Sequence, residues 1–220
     1  TLGCTTVICT DKTGTLTENR LRVDRVYVDG LTLEVRSGHL ILNGRLFNMF
    51  DRKRMRPFFH ALTLCNNTRR VRRHGRGLLL SGDPTEVALM EFAEDHLATN
   101  EERPGAQDFP RMAELPFDAD RKRMTTLHWV TGGLVAYVKG APESLLPLCS
   151  RTLSRGSTAP MTAAQRKAIL GQSAQFADEA YRVLAVAMRQ VEPRRVEVHE
   201  ADHVVAPEDD GVLPLAEAEV

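Results

Sequence analysis

The chain has 220 residues, 42% of them hydrophobic and 26% charged, which is the composition of a globular protein with a real core. Lys plus Arg and Asp plus Glu number 29 each, and this balance argues against a dedicated nucleic-acid binder with its basic excess. Cys4, Cys9, Cys65 and Cys149 form no CxxC pair and have no His at ligand spacing. That pattern argues against a disulfide framework or a zinc site and for reduced core thiols in a cytoplasmic setting.

No run of about 18 apolar residues occurs, so no membrane-spanning helix is expected within the chain. The opening Thr1-Leu2-Gly3-Cys4 has neither an initiating Met nor the pattern of a signal peptide, and the chain reads as a piece of a longer protein. Charge is unevenly spread, basic from Arg52 to Arg76 and acidic from Glu192 to Glu219.

Thr5 to Thr10 is a β-branched, apolar run that predicts a buried strand, ending in the polar loop Asp11-Lys12-Thr13-Gly14-Thr15. Leu21–Val28 alternates loosely and Leu31, Leu33 and Val35 alternate strictly, with Asp29-Gly30 as the hairpin turn between them. Arg45 to Cys65 reads as helical, with Pro57 marking a break or a fresh start. Gly77–Ser81 predicts a strand. Asp83-Pro84-Thr85-Glu86 then opens a helix to about Leu97, with Asp83 as N-cap and Glu86 completing a capping box.

A polar loop from Thr99 to Pro110 precedes three expected strands, Met112–Leu115, Met124–Val130 and Leu134–Lys139, the last two joined through Thr131-Gly132-Gly133. Pro142 to Cys149 predicts a short helix. Thr162 with Gln165 forms a second capping box, opening a helix to about Tyr181 with Ile169, Phe176 and Ala180 on its apolar face. Val183–Met188 predicts a last strand, and the acidic stretch beyond Val191 reads as irregular. Hairpins mixed with helices imply an α+β domain, an antiparallel sheet flanked by helices. The first strand with its terminal Asp resembles a fragment of a different, α/β domain.

An Asp at the carboxyl end of a buried strand stands where ligands bind in open α/β sheets, and such a carboxylate can attack phosphorus to form an aspartyl phosphate. Thr5 to Thr17, containing Asp11-Lys12-Thr13-Gly14-Thr15-Leu16-Thr17, resembles the phosphorylation signature of the P-type ATPases. These belong to the haloacid-dehalogenase-like superfamily. The resemblance implies that Asp11 is the residue phosphorylated by ATP and that Lys12 offsets negative charge at the transferring group. It also implies that Thr13 contacts the phosphate and, with Asp11, helps hold Mg²⁺. Phosphatases of that superfamily usually carry a second Asp where this chain has Thr13, which favours a long-lived acyl phosphate here.

Four later segments agree in order and spacing with the nucleotide-binding domain of that family. Asp83-Pro84-Thr85-Glu86 with Ala88-Leu89 is similar to its first motif, which implies that Glu86 approaches the adenine amino group; a helix cap alone explains the same residues. Phe117-Asp118-Ala119-Asp120-Arg121-Lys122-Arg123-Met124 resembles the second. There Phe117 is implied to stack on adenine, Arg121 to meet phosphates and Met124 to line the pocket, although a core Phe beside solvated charge reads the same way. Lys139-Gly140-Ala141-Pro142-Glu143 is the most specific, with Lys139 supplying charge, Gly140 letting a ligand approach the backbone and Ala141 implied to belong to the same site, although a strand-to-helix turn with Pro at the first helical position reads the same way. Arg182-Val183-Leu184-Ala185-Val186-Ala187 is the last; Arg182 is implied to reach phosphate or ribose and Leu184 to pack on the base. The family often has Gly two residues before that Arg, where this chain has Ala180.

The resemblance divides the chain into a fragment of a phosphorylation domain (1–20), a nucleotide-binding domain (21–191) and an acidic hinge or tail (192–220). It implies ATP and Mg²⁺ as ligands and a monomeric fragment. Its partners would be the phosphorylation, actuator and transmembrane domains of the same polypeptide, and the fragment would be a cytoplasmic portion of a membrane protein. The remaining catalytic loops of the phosphorylation domain are absent from the sequence. The fragment is therefore expected to bind ATP without transporting ions. The opening residues and the Lys139–Glu143 motif resemble the branch holding calcium and sodium/potassium pumps, and no His-Pro dipeptide of the heavy-metal pumps occurs. Calcium is the first expectation for the ion, magnesium or sodium the second. The competing readings are a soluble phosphatase or phosphotransferase of the same superfamily and a non-catalytic nucleotide-binding or interaction module. The basic clusters Arg52–Arg56 and Arg69–Arg73 match no site of the family and read as solvated charge.

Overall fold

The computed structural model describes residues 20–47, 54–73, 77–97, 108–192 and 216–219. The Asp11 loop, the Thr5–Thr10 strand and most of the acidic stretch therefore lie outside the described residues.

The chain forms a large sheet in the order β4-β3-β2-β1-β13-β12-β9-β8-β7. Its strands are β1 (Arg25–Val28), β2 (Leu31–Arg36), β3 (His39–Leu42), β4 (Arg45–Leu46), β7 (Arg111–Asp118), β8 (Arg123–Val130), β9 (Gly133–Gly140), β12 (Ala185–Val191) and β13 (Ala216–Glu219). The hairpin β10 (Arg151–Ser154) and β11 (Ser157–Pro160) joins it through a parallel pairing of β10 with β13. A separate two-stranded ribbon holds β5 (Arg69–Arg73) and β6 (Gly77–Ser81). The helices are α1 (Arg56–Leu64), α2 (Pro84–His96), α3 (Pro142–Leu145, continued by a 3₁₀ turn Leu146–Leu148) and α4 (Ala163–Asp178). The expected α+β class, an antiparallel sheet flanked by helices, is the class observed.

Four hairpins close through two-residue turns whose residues both have positive φ: Asp29-Gly30, Ser37-Gly38, Asn43-Gly44 and Arg155-Gly156. This is the type I′ geometry that matches strand twist, and it selects Gly at the second position. The first turn is the one read from the sequence. The third overturns part of the helix expected from Arg45 to Cys65: Asn43-Gly44 turns the chain into β4, and the described helix begins only at Arg56, with Pro57 in its first turn. Arg69–Arg73, read as solvated charge, pairs with β6 as a strand. Two further differences concern the chain ends of elements. Ala180 lies beyond α4 with φ 65°, so it belongs to the helix terminus and is exposed. Residues 216–219, read as irregular, form β13 between β1 and β12.

Helices cover both faces of the sheet. Along β9, Val135, Tyr137 and Lys139 face one side, while Leu134, Ala136, Val138 and Gly140 face the other. Both sets are buried, which explains the continuous apolar run Leu134–Val138. On the first face α1 and α2 pack Phe58, Phe59, Leu62, Leu89 and Phe92 against Val26, Leu33, Met124 and Val186. Phe59, Phe92 and His96 form an aromatic stack there, with centroid separations of 5.9, 5.8 and 4.5 Å. On the second face Leu145, Leu146 and Cys149 cover Val138, Ala185 and Ala187.

Candidate functional site

The first turn of α2 and the carboxyl end of β9 meet on the α1 side of the sheet. Asp83 caps α2 by accepting from the backbone N–H of Thr85 and of Glu86, at 2.8 and 3.3 Å. Burial alone would raise the Asp83 carboxyl. The hydrogen bonds from Thr85 and Glu86 and the nearby Arg182 guanidinium outweigh it and hold the pKa below the usual value. The capping box expected at Glu86 is only half formed. Its carboxylate turns away from the cap and accepts from Lys139 Nζ at 2.8 Å and from the Asn67 backbone N–H at 3.0 Å.

That turn is the decisive local feature. The side chains of Lys139 and Glu86 are 7% and 13% exposed, so a charge pair sits almost wholly out of water. Desolvation makes such a pair a poor device for stability, and losing either partner leaves a buried charge. A carboxylate has about four lone-pair positions, and the described residues take two of them on Glu86.

β7 and β8 frame the next group. Their register shifts between Leu115↔Thr125 and Asp118↔Arg123, so Pro116 and Phe117 together oppose Met124. This is a bulge, and Pro116, which has no N–H to give the ladder, fits there. The bulge leaves Phe117 64% exposed while Met124, across the ladder from Lys139, is buried. Arg121 returns to the bulge, donating from Nη2 to the Pro116 carbonyl at 3.1 Å and lying 3.8 Å from Asp118. Gly140 stands where no side chain fits: a Cβ would lie 2.4 Å from the Lys122 carbonyl oxygen and 2.5 Å from Arg123 Cβ. The Ala141 N–H donates to that same carbonyl at 3.0 Å, so the turn before β8 is fastened to the Gly140-Ala141 backbone.

Arg182 reaches the site from the far end of α4. Its Nη1 donates to the Thr85 hydroxyl at 2.9 Å, one residue from Glu86. Leu184 lines, with Thr85, Ala88, Leu89 and Arg182, a cavity of about 200 Å³. What delivers Arg182 there is a complete Schellman motif: Tyr181 N–H to Phe176 carbonyl, Ala180 N–H to Ala177 carbonyl, and Ala180 left-handed at φ 65°. The Phe176 and Tyr181 rings make the apolar contact of that motif at 6.2 Å.

The structure thus brings Glu86, Met124, Lys139, Gly140 and Ala141 together, sets Arg182 and Leu184 beside them at Thr85, and puts Phe117 and Arg121 on the bulge opposite Met124. Asp11, Lys12 and Thr13 lie outside the described residues. Sequence reasoning missed Asn66, Asn67 and Arg111, which sit in no motif, and the Thr85 hydroxyl, which does; the roles of all four come from long-range contacts. Among the described residues no group of three or more His, Cys, Asp or Glu side chains converges on a point where a metal ion would sit. Nor is any helix there long and apolar enough to cross a membrane.

The family description "P-type ATPase, cytoplasmic domain N" matches residues 54–211. The chain belongs to the P-type ATPase family. It is 35% identical over 192 residues to a calcium-transporting ATPase of Listeria monocytogenes, covering 87% of this chain and 20% of that protein. It is 35% identical over 214 residues to the cation-transporting ATPase pma1 of Synechocystis, covering 92% of this chain and 22% of the relative. Against the human calcium-transporting ATPase type 2C member 1 the identity is 34% over 202 residues, with 85% and 21% covered. The chain therefore spans about a fifth of the length of the curated relatives it matches. The P-type ATPase match covers α1 through β12 and so includes every described residue of the site.

Proposed function

We propose that this chain is the ATP-binding part of a P-type cation pump, and that it holds nucleotide between the first turn of α2 and the β7–β9 sheet. The observation that carries this reading is the buried Lys139–Glu86 pair, with Met124 standing between Lys139 and the bulge that exposes the ring of Phe117. Buried charge with open lone pairs next to an unburied aromatic face suits a ligand that stacks and hydrogen-bonds at once. In this reading Phe117 stacks on the base, Glu86 accepts from the adenine amino group, and Met124 and Leu184 supply apolar walls. Gly140 and Ala141 let the nucleotide approach the backbone. Lys139, Arg121 and Arg182 face the ribose and phosphates.

Residues 1–20 belong, on this reading, to the phosphorylation domain, 21–191 to the nucleotide domain and 192–220 to the return toward the hinge. Asp11 takes the γ-phosphate in line, Lys12 offsets the developing charge, and the Thr13 hydroxyl contacts the phosphate. The described residues do not form a Mg²⁺ site by themselves. Asp11 and Thr13 would contribute ligands to it together with a carboxylate from elsewhere in the polypeptide. The relatives named for calcium transport support calcium as the ion of the whole protein, and the family description supports a cytoplasmic position for this part of it.

Calorimetric titration with ATP tests the site. We expect a Kd on the order of 0.1–1 mM, about 4–5.5 kcal/mol, weakened at least roughly fivefold by Lys139→Ala and by Phe117→Ala. Binding indifferent to both substitutions would sink the assignment of the pocket.

A further inference from the structure

We propose that Arg111 is a positioning residue for base recognition: it clamps the loop after α1, and that loop aims the Glu86 carboxylate. The inference rests on the nucleotide reading above and extends it to a residue on β7, an edge strand of the sheet.

The geometry starts at the end of α1, whose last carbonyls have no partner within the helix. The Leu64 carbonyl instead accepts from Arg111 Nη2 at 3.0 Å, from the Thr126 hydroxyl at 3.2 Å and lies 3.2 Å from His128 Nε2. Arg111 Nη2 also donates to the Asn66 carbonyl at 2.6 Å. Its Nη1 donates to Asn67 Oδ1 at 2.5 Å and to Glu114 Oε2 at 3.0 Å, and Asn67 Nδ2 donates to Glu114 Oε1 at 2.7 Å. Arg111, Asn67 and Glu114 thus close a ring. One planar fork satisfies four acceptors, which a lysine ammonium cannot reproduce.

The clamped loop then reaches Glu86 by two routes. Asn66 Nδ2 donates to the Glu86 backbone carbonyl at 2.9 Å, fixing the first turn of α2. The Asn67 backbone N–H donates to Glu86 Oε2 at 3.0 Å, fixing the side chain. With Oε1 held by Lys139, the carboxylate plane is set from both ends, and its remaining lone pairs face a defined direction. A carboxylate so held discriminates a base edge that donates from one that accepts, because an acceptor would meet it unpaired.

The test uses the 220-residue chain with ATP and with inosine triphosphate, which carries an oxo group in place of the adenine amino group. The unsubstituted chain should prefer ATP. Arg111→Ala should cut that preference by roughly fivefold while leaving the Kd for inosine triphosphate within about twofold. Arg111→Lys should fall between them and carries the test should Arg111→Ala not fold. A second readout needs no nucleotide: the Asn67 amide resonance should move in Arg111→Ala in the same direction as in Glu86→Gln. Equal weakening of both nucleotides, or an Asn67 amide that stays in place, would overturn the proposal. Absence of saturable ATP binding by the unsubstituted chain would remove the nucleotide reading and base selection with it, while the Asn67 amide still reports whether the clamp holds Glu86.

Discussion

Ala180 is the position where a stabilising change should be easiest to make. It stands at φ 65° at the end of α4, the one residue of the Schellman motif that must be left-handed. A Cβ in that region crowds the following carbonyl and costs about 1–2 kcal/mol, and Ala has no polar side chain to offset it as Asp29 or Asn43 can in their turns. Replacing it with Gly removes the crowding and adds unfolded-state freedom worth about 0.4–1 kcal/mol in the other direction. The balance for Ala180→Gly is a gain of about 0.5–1 kcal/mol, or roughly 1–4 °C in Tm for a chain of this size. Thermal unfolding followed by circular dichroism measures it. The gain should come without loss of the Arg182–Thr85 bond, because Tyr181 is held independently: its hydroxyl donates to Asp24 at 2.8 Å and Arg25 lies 5.1 Å over its ring. A midpoint unchanged or lowered would show that the left-handed turn at residue 180 is not strained and that this account of the helix end is wrong.

Gly140→Ala should destabilise by about 1–3 kcal/mol in urea unfolding and weaken ATP binding, because the new Cβ would meet backbone at 2.4 Å. Burial lowers the basicity of His128, with Arg111 adding to the effect against the Phe109 and Leu64 carbonyls that face its two nitrogens. Its folded pKa then lies below the unfolded value of 6.5, so its contribution to stability is complete above that pH and is lost as pH falls below it. The urea midpoint should accordingly drop between about pH 7 and pH 5, and His128→Gln should flatten the drop. Burial pushes the Cys65 thiol up to about 11, so iodoacetamide at about pH 8 should leave Cys65 unlabelled in the folded chain and label it in urea, as peptide mass mapping would show.

Much of the site was legible because its residues lie in short strings whose local chemistry is self-evident. Asp83-Pro84 offers an N-cap and a first-turn Pro to the helix that follows, and Lys139-Gly140-Ala141-Pro142 ends one element and begins another. The fold class followed from the alternation at Leu31, Leu33 and Val35 in β2 and from the hairpin turns at Asp29-Gly30 and Thr131-Gly132-Gly133 between helical segments. What escaped were features decided by partners distant in sequence or by turns passed over. Ser37-Gly38, Asn43-Gly44 and Arg155-Gly156 carry the same signal as Asp29-Gly30, and they mark β3, β4 and the β10–β11 hairpin. Glu86 satisfies a capping-box pattern, yet Lys139, 53 positions away, outcompetes the cap for its carboxylate. Arg111 has only Glu114 nearby in sequence, and its other three acceptors lie on Leu64, Asn66 and Asn67.

The central claim is that ATP binds where α2 meets the β7–β9 sheet. A ¹⁵N-edited NMR titration of the 220-residue chain with ATP tests it residue by residue. Saturable shifts should concentrate at 66–67, 85–86, 117–124, 139–141 and 182–184, and fade in Lys139→Ala. Shifts confined to the basic ribbon at 69–73, or none at several millimolar ATP, would contradict it.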